Sequence, residues 1–383
     1  LEEQYDEAAD AFDVVRDALD NPEKYELSDK VHTTLLGNPR VTYTLFAESF
    51  LKAGRLEQAA EMFEKALPDK ASAGLLAYHL GRIEMANGRP ASALRELNKY
   101  LDAKQSTAGD GPYELLAEIL GELHDEDVAE KKLIERLGAL RQDDPANAAL
   151  AYFLAEQLQD AGQLDEAAKL LEATVETEPA ISAYASLIEI YHEQNKPDKL
   201  LDALGAAVER IGSFRPLEDQ TDAIVEDKAL VKRILKVARQ RQKEAEGEPN
   251  THQAFAAGLL AIGAEMFDAA EQQMQIADDD EERRPAVLES WGLQMFIAGE
   301  YQRAAEVFQR AIDEGVAERF NGDFYYYLAA ALEFDGQTDA ALEAAKKAAA
   351  EKPDDPRYAS RYAWVLYHAK RYEDAHREYQ KII

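Results

Sequence analysis

Seven histidines and a large surplus of carboxylates are the residues of this 383-residue chain with the most obvious chemical capacity. The histidines are His32, His79, His124, His192, His252, His368 and His376. A zinc hydrolase would place two of them four residues apart with a glutamate between, and no such HExxH pair occurs. His368 and His376 fall on different helices of one repeat, so both are expected to face solvent. Cysteine is absent, which removes thiolate metal sites, cysteine nucleophiles and disulfides. The run Asp278-Asp279-Asp280-Glu281-Glu282 lacks the alternating ligands and the glycine of a calcium loop and reads as a solvated turn. No glycine-rich phosphate loop is present. With 75 acidic residues, close carboxylate pairs arise by chance and carry no acid–base assignment. The expectation is a chain that is not an enzyme, with no catalytic residue, metal or cofactor.

Two other sets could bind rather than react. One is the basic stretch from Lys228 to Lys243, with Lys228, Lys232, Arg233, Lys236, Arg239, Arg241 and Lys243 and no acid among them. It invites a membrane or nucleic-acid reading. Against that, Leu230, Ile234, Leu235 and Val237 give it an apolar side, which is expected to pack on neighbouring helices. The formal charge of −32 also repels phosphate, so nucleic acid is not an expected partner. The other set is aromatic. Phe46, Phe50, Phe63, Trp291, Phe308 and Tyr325 fall at positions expected to pack a core, and Trp364 does not.

These residues are positioned by helices that repeat. Aligning the chain on the small residue early in the second helix of each hairpin gives Ala59, Ala93, Ala167, Ala304, Ala341 and Ala375, with weaker matches at Ala129, Leu200 and Ala270. The steps are 34, 36, 38, 33, 70, 34, 37 and 34. The step of 70 is two periods, so a divergent unit lies between Leu200 and Ala270, and ten helix pairs run from Val41 to the end. In the stretch from Arg284 to Gly315, Gly292 and Ala304 are small enough for two helix backbones to approach closely, with Leu288, Trp291, Met295 and Phe308 around them.

This pattern resembles the tetratricopeptide repeat (TPR) family: Tyr43, Phe46, Ala47, Phe50, Gly54, Ala59, Phe63 and Ala66 in one unit; Leu154, Ala155, Leu158, Gly162, Ala167, Leu171 and Pro179 in another; Tyr325, Leu328, Ala329, Leu332, Gly336, Ala341, Ala348 and Pro353 in a third. The last unit has Lys370 where the turn glycine belongs, and the unit with His124 at its turn is also irregular. The resemblance covers about nine-tenths of the chain. It implies an all-α fold, a right-handed superhelical solenoid of about ten stacked antiparallel helix pairs.

The expected organisation is an N-terminal helix (Gln4 to Leu19) and cap-like segment over 1–39, units 1–5 of the regular array over 40–211, a divergent unit with the basic helix over 212–250, and further units over 251–383. Longer loops are expected at Ala103 to Pro112 and Asp313 to Asp323. The chain opens at Leu1 and stops inside a helical pattern at Ile383, so it reads as a fragment of a longer protein, and its localisation is not legible.

The resemblance implies a scaffold or adaptor that binds partner segments in a concave groove lined by first helices. The alternative is a non-catalytic accessory or docking region of a larger enzyme or of a secretion or envelope-assembly complex. Self-association through the terminal repeat is a third possibility. At the family's groove positions the last three units carry Glu289, Leu293 and Phe296; Asp323, Tyr326, Ala330 and Glu333; and Arg357, Ser360, Trp364 and Tyr367. The partner-binding residues are therefore expected to be Leu293, Phe296, Tyr326, Arg357, Arg361, Trp364 and Tyr367. The competing occupant for Trp364 and Tyr367 is a further helix beyond Ile383. Arg357 and Arg361 match the basic pair of the family's carboxylate clamp, but Glu289, Leu293 and Tyr327 do not match its Lys and Asn residues. A mixed apolar and basic protein segment is the better ligand.

Overall fold

Every turn between paired helices has to stop one helix and reverse the chain within two or three residues. Eight do so in one way among the described residues. The residue at the corner takes a positive φ, and the next N–H reaches back into the last helical turn over 2.8 or 2.9 Å, as from Arg55 to the Phe50 carbonyl and from Glu300 to Met295. This is the 6→1 bond of a Schellman motif. Glycine holds the corner at 54, 88, 162, 299 and 336, because it alone takes that conformation without steric cost. Asn195, Glu265 and Lys370 adopt it in three others, with φ between 54 and 61°. The two exceptions are the turns the sequence marks as irregular: His124 is extended, with φ −143°, and Asp227 separates its two helices alone.

The computed structural model describes residues 2–104, 108–212, 215–245, 247, 249–316 and 323–382. Residues 105–107 of the 103–112 loop, 317–322 of the 313–323 connection, and 213, 214, 246 and 248 of the divergent unit lie outside the described residues. Among those described, all regular structure is helical. The chain forms two compact units, Leu1–Glu178 and Pro179–Ile383.

The first unit begins with α1 (Glu2–Asp20) and α2 (Asp29–Leu35). Four pairs follow: α3 (Pro39–Lys52) with α4 (Leu56–Ala66), α5 (Ala73–Ala86) with α6 (Pro90–Asp102), α7 (Gly111–Leu123) with α8 (Glu126–Asp143), and α9 (Ala148–Asp160) with α10 (Leu164–Val175). The lone α1 packs on α3, where the Phe12 and Phe46 rings lie 4.9 Å apart. It also runs beside α4 through Arg55–Asp10, Gln58–Asp13 at 2.8 Å, Arg16–Glu61 at 3.3 Å and Lys65–Asp20 at 3.1 Å. Each partner is 45 positions from the other, the mark of two parallel helices in fixed register.

The second unit holds six pairs: α11 (Ile181–Glu193) with α12 (Pro197–Ile211), α13 (Glu218–Glu226) with α14 (Lys228–Glu244), α15 (Thr251–Gly263) with α16 (Phe267–Ala277), α17 (Arg284–Ile297) with α18 (Tyr301–Asp313), α19 (Asp323–Phe334) with α20 (Thr338–Glu351), and α21 (Pro356–His368) with α22 (Tyr372–Gln380). Its first helices touch in succession, α11 to α13 and on to α21, so they form one continuous face.

The repeated small residues sit where helices meet. Ala59, Ala93, Ala167, Ala270, Ala304 and Ala341 are wholly buried. A Cβ at Gly292 would lie 2.4 Å from the Phe308 ring, so that position admits no side chain unless the ring moves. Phe46, Phe50, Phe63, Trp291 and Phe308 are buried as expected, each worth roughly 1.5–3 kcal/mol.

Two expectations are corrected. Tyr325 is only half-buried, with the Lys347 ammonium 5.5 Å from its ring centre. His79, which the sequence did not place, is buried and stacked on Phe63, with ring centres 4.0 Å apart. The acid run is not all solvated. Asp278 is 1% exposed and paired with Arg310 and, at 3.3 Å, with Arg284, because a carboxylate at this helix–helix junction is tolerated only when cations enclose it. Burial still pushes its carboxyl above the ordinary range against the pull of both arginines.

Candidate interaction groove

The groove residues expected from the sequence lie on α17, α19 and α21, successive first helices of the second unit, and the structure gathers some of them around one carboxylate. Glu333, near the end of α19, accepts a hydrogen bond from the Trp364 indole N–H over 2.7 Å and pairs with the Arg361 guanidinium at 3.2 Å. His368 lies 3.9 Å from the same carboxylate. The guanidinium in turn sits 4.9 Å from the Tyr326 ring centre, and its other nitrogen donates to the Tyr326 hydroxyl over 3.4 Å. An indole held at its N–H and a guanidinium held between a carboxylate and an aromatic face have little rotamer freedom left. Binding a partner here therefore costs less ordering entropy than on free side chains. Trp364 nevertheless keeps 46% of its surface exposed, and Tyr367, one turn on, keeps 54%.

The other expected residues are placed apart from that cluster. Phe296 belongs to an aromatic group with Tyr301 and Phe334, with ring centres 5.1–5.4 Å apart. Arg357 turns back to Asp355, the N-cap of its own helix, at 2.8 Å, and lies over Tyr358. Arg357 and Arg361 thus do not form a joint basic pair: each charge is already matched by a carboxylate. Leu293 is half-buried on α17. Tyr367 packs edge-on against Tyr372 at 5.4 Å.

The floor near α17 is acidic. Burial, and then Asp323, push the Glu289 carboxyl upward. Burial and the same two carboxylates also raise the Tyr327 hydroxyl. Two residues that sequence reasoning left out of the binding set, Glu333 and His368, prove to be parts of the cluster. Glu333 does fall at a groove position of the repeat, and that register was the available signal. His368 lies one turn beyond Trp364 on the same face, with ring centres 4.7 Å apart.

A second opening on the first helices, of about 490 Å³, lies between α13, α15 and α17 and is lined by Thr221, Val225, Phe255, Leu259, Ser290 and Gln294 among others. No sequence signal pointed to it. Among the described residues no group of three or more acidic or histidine side chains is arranged to hold a metal ion, and no helix is long and apolar enough to cross a membrane.

Two family profiles, both described as tetratricopeptide repeat, match the sequence, one over residues 44–108 and 296–356 and the other over 134–198 and 334–383. Together these stretches cover more than half of the chain and leave the divergent pair α13–α14 outside. Similar solved structures include the MamA protein (22% identity, 45% of this chain and 92% of that one, TM-score 0.30) and yeast Tom70 (14% identity, 98% and 92%, TM-score 0.30). A third is Naa15/Naa10 bound to HypK-THB (14% identity, 96% and 67%, TM-score 0.27). No curated protein sequence matches the chain.

Proposed function

Because this chain belongs to the tetratricopeptide repeat family, whose stacked helices make protein-interaction scaffolds, we propose that its partner segments lie along the first helices α17, α19 and α21, in the concave groove of the last three repeats. The observation that carries the reading is Trp364: a large aromatic ring, half exposed, whose indole N–H is fixed by Glu333. A pre-oriented aromatic beside an arginine is the composition of a binding hot spot. The chemistry of the groove favours a partner segment that is partly apolar and partly basic. Its apolar residues would cover Trp364 and Tyr367, and its cations would meet the carboxylates of Glu289 and Asp323. An acidic tail suits it poorly, since Arg357 and Arg361 already have carboxylate partners. The role is non-catalytic in this reading.

The test is a peptide selected by display against the whole chain, with affinities then measured for Trp364→Ala, Tyr326→Ala and an outer-helix control, Lys346→Ala. Truncating a hot spot costs about 2 kcal/mol or more, roughly thirtyfold, and the expected loss for Trp364→Ala is of that order, with the control unchanged. Equal affinity for both groove variants and wild type would place the binding site elsewhere.

A further inference from the structure

Helix α14 is the most basic element of an acidic chain, and its cations divide into two sets. The first set is anchored. Lys228 bonds Glu265 at 2.6 Å, Arg233 bonds Asn195 at 2.6 Å, and Arg241 grips both oxygens of Asp202 at 2.5 and 3.1 Å. These residues tie α14 to the helix pairs on either side, while Leu230, Val231, Ile234, Leu235 and Ala238 are buried beneath it. The second set is Lys232, Lys236, Arg239 and Lys243. They recur at steps of four, three and four, which puts all of them on one stripe. All four are exposed, and among the described residues none has a hydrogen bond or ion pair. In a chain with 75 acidic and 43 basic residues, four neighbouring cations without an acid are the exception, since internal carboxylates are abundant enough to have claimed them.

The stripe also borders an opening. Between α14 and the start of α16, reaching Arg303 on α18, lies an open cleft of about 540 Å³ with Lys232, Leu235 and Arg239 on one wall and Met266, Phe267 and Ala269 opposite; its two carboxylates, Glu265 and Asp268, are already tied to Lys228 and Arg303. Contacts flank it on either side: Lys228 reaches Glu265 in the turn between α15 and α16, and the side-chain amides of Gln242 on α14 and Gln273 on α16 pair at 2.7 and 3.3 Å. The surface therefore offers a row of cations beside a seat with apolar floor atoms.

We infer that the Lys232–Lys236–Arg239–Lys243 stripe and the adjoining α14–α16 cleft form a second docking surface, one that takes an acidic amphipathic helix of a protein partner. The chain contains its own instance of the required chemistry: α1 lies along α4 at one constant offset, with Asp10 and Asp20 met by Arg55 and Lys65, Asp13 by the Gln58 amide, and Arg16 by Glu61 in the reverse sense. There an acidic helix face meets the basic side chains of a second helix at matching helical spacing. The dimensions select against polyanions. The stripe spans twelve residues, about 16 Å of helix. Duplex nucleic acid carries a charge every 1.7 Å or so and extends far beyond that length, and an anionic bilayer is broader still. Both would press most of their charge against an acidic surface. An acidic helix of three or four turns places its carboxylates only where the cations are and can lower one apolar side chain onto Leu235, Met266 and Phe267. This surface lies on second helices rather than first, so it stands or falls independently of the groove.

The probe is a fluorescein-labelled 16-residue helical peptide with Glu at the same four, three and four spacing and a Leu between the second and third, beside a twin with Gln at those four positions. Anisotropy titration of the whole chain is expected to favour the Glu peptide at least about tenfold, with affinity falling as NaCl rises from about 50 to 300 mM. The combined variant Lys232→Gln, Lys236→Gln, Arg239→Gln and Lys243→Gln is expected to lose that preference while melting as wild type does. The single variant Arg239→Gln should lose about two- to fivefold, and Lys346→Gln, an exposed lysine on α20 away from the stripe and the cleft, should bind as wild type. Equal affinity for the two peptides, or undiminished binding by the stripe variants, would overturn the inference. So would tighter binding of phosphatidylserine vesicles or duplex RNA than of the Glu peptide, or self-association abolished by the stripe variant, which would make a polyanion or a second copy the occupant.

Discussion

His79 is a titratable ring enclosed by helices α3 to α5. Burial, and then the Arg82 guanidinium beside it, hold its pKa down to about 4 from an ordinary 6.5. Arg82 is itself tied to Glu48 at 2.5 and 2.9 Å, so the positive charge that repels a His79 proton is fixed in place. With the folded pKa depressed, the unfolded chain binds the proton more readily. Stability is therefore complete above pH 6.5 and is lost as pH falls from 6.5 toward about 4, by about 3 kcal/mol in all. His79→Phe keeps the stack on Phe63 and removes the titration, so its melting temperature should fall less than that of wild type over this window; parallel curves would remove the assignment. Glu289 carries the opposite sign. Its carboxyl is raised above 4.5 by burial and Asp323, so its ionised form costs stability as pH rises above that value. Glu289→Gln should therefore melt higher than wild type at pH 7 and no higher below about pH 4.5. A gain that persisted in acid would point to packing instead. Neither environment was legible in the sequence. A histidine or glutamate in a helical pattern looks the same whether its neighbour along the array is a phenylalanine, an arginine or a second carboxylate.

At the scale of helices and turns the outcome reverses, because the information is local and repeated. The small residue early in each second helix, the corner residue at the turn and the spacing near 34 together specify a hairpin, and the ten pairs are those that the register from Ala59 to Ala375 requires. Lys370 shows why the register outweighs any one residue: it takes the left-handed corner, with φ 61°, that glycine fills elsewhere. The polar contacts between helices of neighbouring repeats were not legible, since they pair residues 31 to 45 positions apart. The tight packing of Gly292 on Phe308 and the complete burial of Ala304 give a direct test. Gly292→Leu and Ala304→Leu should each lose about 1–3 kcal/mol through overpacking, and increased hydrogen exchange should spread into α19 and α20, because each repeat is stabilised by its neighbours. Melting of both variants like wild type would mean that the helices do not meet there.

Over the whole molecule there are two compact units, and both proposed binding surfaces belong to the second. Its first helices present Trp364 and Tyr367 beside a tethered arginine, and its second helices present a basic stripe. The family's role as an interaction scaffold was readable because it follows from the repeat. The register also named the first-helix groove as the expected binding face, but not the hub formed by Glu333 or the division of the cations on α14, since these depend on which side chains the packing brings together and which it leaves unpaired. The central claim, that partner segments lie on α17, α19 and α21, is tested most directly by hydrogen exchange on the full chain with and without a display-selected peptide at saturation. New protection is expected to concentrate in residues 289–296, 326–333 and 357–367, where the first helices face the groove. Protection confined to the second helices or to residues 2–178, with those three segments exchanging as they do in the free protein, would contradict it.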